Sequence, residues 1–145
     1  MLGWIIAGHD FYARDMLEAL EKRLGVQPQC CAVNFEKGLS TNMLARMMCD
    51  ALHACDSGDG VIFLTDITGE APYRAAALLS NKHDFCEVIS GTSLSLLCIM
   101  SEYRTTLSSS TFREHIVTAG GEGVTSLWHQ QQKNPPFVLI ERTGW

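Results

Sequence analysis

Residues 2–10 constrain this chain more than any other stretch. Leu2, Trp4, Ile5, Ile6 and Ala7 form a nearly continuous apolar segment that ends in Gly8-His9-Asp10. The run is too short to cross a membrane and has the length of a buried strand. Phe11, Met16, Leu17, Leu20 and Leu24 follow at three- and four-residue spacing, the period of an amphipathic helix. A strand that feeds a helix through a glycine-containing turn is half of a βαβ unit. Ligands of such units bind beyond the carboxyl ends of the strands. His9 sits at that position, and its imidazole can act as nucleophile, base or metal ligand near neutral pH.

The remainder repeats the theme. With 145 residues the chain can bury one proper core and has too little length for two. Gly25 and Pro28 break the first helix, and Cys30 to Phe35 reads as a second strand. Ser40 is placed to cap a helix reaching about Ala54, with Met43, Leu44, Met47, Met48, Ala51 and Leu52 expected on its buried side. Ser57-Gly58-Asp59-Gly60 is a turn. Val61-Ile62-Phe63-Leu64 is the clearest strand, and it runs into Thr65-Asp66. Pro72 suits the first turn of the next helix, expected to reach Asn81.

Cys86 to Ile89 reads as a fourth strand, followed by Ser90-Gly91-Thr92 and a helix from about Ser93. Thr111-Phe112-Arg113-Glu114 matches a capping box for a helix ending near Ala119, before Gly120, Gly121 and Gly123. Val124 to Trp128 is expected to be the last strand. Gln130 to Pro136 is polar and rich in breakers, and Phe137 to Glu141 has strand composition without a place in the pattern. Strands alternating with helices predict a three-layer α/β fold: an open, mainly parallel sheet with helices on both faces. Right-handed crossovers put the ends of the first and third strands, His9 and Asp66, on one rim.

Composition removes several function classes. The net charge is −5 and Lys/Arg are dispersed, which argues against a nucleic-acid partner. The N-terminus has neither a basic region nor a small-residue cleavage site, so no secretory signal is expected, and a cytoplasmic location follows from that reading. Six cysteines, none in a Cys-x-x-Cys pair, read as free buried thiols in a reducing compartment. His53-x-Cys55 falls short of the three or four ligands of a zinc site, and His83, His115 and His129 lack partners at ligand spacing, so neither metal nor cofactor is expected.

His9 and Asp66 can form a dyad. A carboxylate that accepts from Nδ1–H fixes the tautomer in which Nε2 is the free nucleophile, and it stabilises the positive ring that develops on attack. The turns around the dyad offer backbone N–H groups to an anion. Gly8, Asp10, Thr65, Thr68 and Gly69 line those turns. With the Arg74 guanidinium they are the candidate phosphate- or partner-binding residues. Another use of Asp66 is as the phosphorylated aspartate of a receiver-like domain. That wants an acidic pair after the first strand, and His9-Asp10 supplies one carboxylate.

The same residues carry a resemblance. Gly8-His9, Val61-Ile-Phe-Leu-Thr-Asp66-Ile-Thr-Gly69, Ala71-Pro72-Tyr73-Arg74, Glu87 to Leu94, and Gly120 to Val124 resemble the enzyme IIA domain of mannose-family sugar phosphotransferase systems. The similarity spans residues 1–130 and leaves 131–145 as a C-terminal extension. Pro72-Tyr73-Arg74 and Cys86-Glu87-Val88-Ile89 are closest to the N-acetylgalactosamine/galactosamine branch. The resemblance implies a phosphotransferase component that takes a phosphoryl group from the histidine phosphocarrier protein HPr on His9. The group passes to a IIB subunit, and so indirectly to membrane IIC and IID subunits and the incoming sugar. It also implies an orienting role for Asp66, and a homodimer whose antiparallel last edge strand, matched by Val124 to Trp128, is exchanged between subunits.

Two positions depart from the family pattern. Glycine usually follows the active histidine, and Gly-Gly follows the third strand; here they are Asp10 and Gly69-Glu70. Both carboxylates would repel a phosphoryl group, and a residue other than glycine is strained where φ must be positive. Asp10 has a further reading as the cap of the first helix. A protein-binding regulator that keeps the fold without phosphotransfer is the alternative these two residues bring in.

Overall fold

The computed structural model describes residues 1–133, so the strand-like 137–141 segment lies outside the described residues. Strands β1 (Gly3–His9), β2 (Cys30–Phe35), β3 (Val61–Thr65) and β4 (Cys86–Ser90) alternate with helices α1 (Tyr12–Leu24), α2 (Thr41–Cys55) and α3 (Ala71–Lys82). Helices α4 (Leu94–Met100) and α5 (Ser109–Gly120) follow, then strand β5 (Thr125–Ser126) and helix α6 (Leu127–Lys133). The sheet order is β2-β1-β3-β4-β5. Strand β1 is parallel to β2 and β3, β3 is parallel to β4, and β5 closes the edge antiparallel to β4. This is the expected three-layer α/β architecture with its antiparallel edge.

The apolar strands are continuous rather than alternating because both faces are covered. Trp4, Ile6, Ile62, Leu64 and Ile89 pack on one side with Leu20, Leu97, Phe112 and Ile116 of α1, α4 and α5. Ile5, Ala7, Phe63 and Val88 pack on the other with Leu44, Met48, Leu52 and Ala76 of α2 and α3. Buried Arg104 ties the amino end of β1 to the chain before β2. Its guanidinium donates to the carbonyls of Leu2, Pro28 and Gln29 at 3.0, 2.7 and 2.9 Å and stacks over the Trp4 ring.

Several local expectations are corrected. Met43 is 43% exposed, so it does not lie on the buried side of α2. Cys55 alone among the thiols is fully buried, although all six are free as expected. Helix α5 is capped by the Ser108 hydroxyl, which accepts from the Thr111 N–H at 3.3 Å. Glu114 turns instead to Arg113 at 3.1 Å, so Thr111 is inside the helix rather than its cap. The last strand is two residues long, because the Ser126 hydroxyl accepts the His129 N–H at 3.0 Å and starts α6 where strand was expected. Gln130 to Lys133 accordingly lie in that helix.

Candidate active site at the strand ends

Strands β1 and β3 are neighbours with Ala7 beside Thr65, so their carboxyl ends bring His9 and Asp66 onto one rim. One oxygen of Asp66, Oδ2, accepts from the His9 backbone N–H at 2.8 Å and bonds His9 Nδ1 at 2.9 Å. The other oxygen accepts the Ile67 N–H at 2.8 Å. Burial pushes the Asp66 carboxyl up. The hydrogen bonds from the His9 backbone, the His9 ring and Ile67, with the nearby His9 charge, outweigh burial and hold it below the usual carboxylate range. An ionised carboxylate only accepts, so Nδ1 carries a proton, and in the neutral ring Nε2 is then the nitrogen with the lone pair.

The Asp66 side chain is 11% exposed and that of His9 is 34% exposed, so the carboxylate is sheltered while the imidazole keeps partial access to solvent. Phe35, the register partner of His9 on β2, meets the imidazole edge-on at 5.8 Å and fixes its tilt.

The other predicted residues divide. Gly8 is buried directly under the dyad: a Cβ there would stand 2.4 Å from Cδ1 of Tyr12 and 3.0 Å from the Asp66 carboxyl carbon. Gly69 has φ of 84°, and this left-handed turn delivers Glu70 to the N-cap of α3. The Thr68 hydroxyl pairs with the Ser90 hydroxyl at 2.6 Å, stitching the turn after β3 to the end of β4. Thr65 is fully buried and donates its hydroxyl to the Ile89 carbonyl at 3.4 Å, so that hydroxyl faces the sheet. Arg74 lines a groove between α2 and α3 with Thr41, Asn42 and Leu78. Among the described residues it makes no ion pair with Asp66 or Glu70.

Asp10 is exposed and left-handed, with φ of 53°. It does not cap α1: the N-cap is Phe11, with no side-chain cap bond. Glu70 approaches the dyad instead, its Oε2 at 3.9 Å from His9 Nε2.

Tyr12 escaped the sequence reading. Burial raises its pKa first, and the Asp66 charge raises it further. The available signal was position: an aromatic four residues after Gly8 and one turn from the strand end. His53 contacts the carbonyl and thiol of Cys49 one turn earlier in α2, and His83 contacts the Leu79 carbonyl. No cluster of three metal-ligating side chains occurs among the described residues.

Fold and site together define a small open-sheet α/β protein that carries one carboxylate-held histidine at its strand ends. Comparison with known proteins gives that class its family. The family model EIIA-man, described as PTS system fructose IIA component, matches residues 3–117, and the chain belongs to this family of mannose-type enzyme IIA components. YadI of Escherichia coli K12, named provisionally as a phosphotransferase enzyme IIA component, is 64% identical over 139 residues, covering 96% of this chain and 95% of YadI. The mannose-specific EIIAB component of the same strain is 29% identical over 93 residues, covering 64% of this chain and 29% of its own length. Among solved structures, the phosphotransferase system component EIIA of Streptococcus agalactiae superposes with TM-score 0.76 at 25% identity, covering 86% of this chain and 96% of that one. The mannose/sorbose-specific IIA subunit of Enterococcus faecalis gives 0.70 at 14% identity, covering 79% of this chain and 86% of that one, which speaks to fold alone.

Proposed function

We propose that this chain relays a phosphoryl group from HPr through His9 Nε2 to a IIB subunit. The observation that carries this reading is the 2.9 Å contact from His9 Nδ1 to an ionised Asp66, which leaves Nε2 as the free nucleophile. In the forward step the Nε2–P bond forms as the N–P bond on the donor breaks. The proton stays on Nδ1, and Asp66 balances the positive charge the ring acquires. Phosphorylation on Asp66 itself is disfavoured, because both of its oxygens are engaged by His9 and Ile67.

Residues 1–130 are the relay domain in this reading, and it acts in the cytoplasm, where the phosphocarrier is. No described helix is long and apolar enough to cross a membrane, which leaves sugar passage to the IIC and IID partners. The N-acetylgalactosamine/galactosamine branch is the proposed sugar class, on Pro72-Tyr73-Arg74 and Cys86 to Ile89. The proposed dimer exchanges the edge element β5, which pairs with β4 through Ile89 and Ser90 only. Gly8, Asp10, Thr68, Gly69 and the Thr65 backbone frame the phosphoryl position, and Arg74 is proposed to serve partner contact from the adjacent groove.

Incubation with phosphoenolpyruvate, enzyme I and HPr should add one phosphoryl group, and His9→Ala should abolish it. The adduct should be acid-labile and base-stable, as an N-phosphoryl histidine is. A base-labile adduct surviving His9→Ala would move the site to a carboxylate, and no adduct on wild type would favour the regulator.

A further inference from the structure

Glu70 faces the one ring atom left free. Its Oε2 lies 3.9 Å from His9 Nε2, and its side chain is 47% exposed. The carboxylate has no other work: although Glu70 is the N-cap of α3, it makes no side-chain cap bond. Among the described residues its only ionic neighbour is His9. The position is built rather than accidental, since the left-handed Gly69, a 3.3 Å bond from the Glu70 N–H to the Ile67 carbonyl, and Pro72 in the first turn of α3 set where the residue starts.

We propose that Glu70 is an electrostatic gate on His9, which must withdraw for a phosphoryl group to enter and which then favours its departure. The inference deepens the relay reading and rests on Nε2 as the acceptor atom. A phosphoryl group bonded to Nε2 would crowd an Oε2 only 3.9 Å from that nitrogen, so the Glu70 side chain swings toward solvent as the group enters. Its exposure leaves that path open. What remains after the swing is repulsion between a carboxylate and a phosphoryl group that both carry negative charge, partly screened by water and salt. Asp66 does not share this role, because it holds the opposite ring nitrogen and favours the positive ring. Glu70 thus lowers occupancy of His9 and raises the tendency of the group to move on to an acceptor.

The test uses phosphoramidate, a small N-phosphoryl donor that needs no protein docking. The new Nε2–P bond replaces its P–N bond, and ammonia leaves. Wild type, Glu70→Gln and Glu70→Asp are compared by phosphorus NMR, with His9→Ala as blank. At about 20 mM salt, Glu70→Gln should be phosphorylated about five- to tenfold faster than wild type. The shorter carboxylate of Glu70→Asp should fall between them. At about 500 mM salt the advantage should shrink below about twofold. Equal rates at low salt overturn the gate, and a gain unchanged by salt assigns Glu70 a steric role in its place. No modification of His9 in any variant removes the acceptor atom and the gate with it. Modification by phosphoramidate with no transfer from HPr overturns the relay and leaves the gate standing.

Discussion

The Tyr12 ring occupies the space that a side chain on Gly8 would need, with Cδ1 2.4 Å from a Cβ placed there. Backbone atoms of β1 therefore lie directly beneath an aromatic ring of α1 and the Asp66 carboxyl group, and the His9 backbone N–H is delivered to Oδ2 from that close approach.

Gly8→Ala should thus move Tyr12 and Asp66 together. Overpacking of this kind costs about 1–3 kcal/mol. Thermal unfolding should show the loss, and phosphorylation of His9 should slow as the dyad loosens. In a Tyr12→Ala background the same change should cost measurably less in stability, because the tighter of the two clashes is gone. Equal costs in both backgrounds would place the strain elsewhere.

Asp66→Asn preserves shape and removes charge. An amide can accept from the backbone N–H of His9 but does not hold Nδ1–H over the alternative tautomer, and it does not balance a positive ring. Phosphotransfer should slow by at least about tenfold, equivalent to about 1.4 kcal/mol of barrier. The pH dependence has a definite sign. The folded-state pKa of Asp66 is lowered, so the carboxylate contributes stability above the ordinary carboxylate pKa of about 3.9, and this is lost as pH falls through the lowered folded value. Denaturant titrations at a series of pH values should show wild type and Asp66→Asn converging in that acid window. A stability gap independent of pH would mean that the carboxylate charge contributes nothing to the fold.

What could be read in advance follows from which interactions are local. Leu2 to Ala7 and Val61 to Leu64 were legible as strands because helices cover both sheet faces, and that demands unbroken apolar runs. Right-handed crossovers put His9 and Asp66 on one rim, and the resemblance to the enzyme IIA family implied that Asp66 orients the ring. The end of the chain was less legible. Val124 to Trp128 has strand composition, but Ser126 spends its hydroxyl on the His129 N–H and turns the backbone into α6. Thr111 looked like a cap because four consecutive hydroxyl residues compete there, and Ser108 takes the role. Asp10 and Glu70 were equivalent carboxylates in sequence. Only the backbone separates them: Glu70, placed by a left-handed glycine, reaches the imidazole, while Asp10 takes the left-handed conformation itself.

That conformation makes Asp10 a test of backbone against charge. Its φ of 53° lies where L-residues are strained, and aspartate and asparagine are tolerated there better than most. The Asp10 N–H donates to the Phe35 carbonyl at 2.9 Å, which pins the turn to the end of β2 and keeps the residue from relaxing toward negative φ. No hydrogen bond or ion pair of the Asp10 carboxylate occurs among the described residues, so its side chain offers little to offset the strain. Asp10→Gly should therefore stabilise the protein by about 0.5–1 kcal/mol, Asp10→Asn should change it little, and Asp10→Ala should destabilise it by a similar amount. Chemical denaturation of the three variants gives the order directly. Stability equal across alanine, asparagine and glycine would show that the turn relaxes on substitution. The charge is read separately: with no contact to the His9 ring, Asp10→Asn should accelerate low-salt phosphorylation less than Glu70→Gln does. The reverse ranking would make Asp10 the carboxylate that opposes the phosphoryl group.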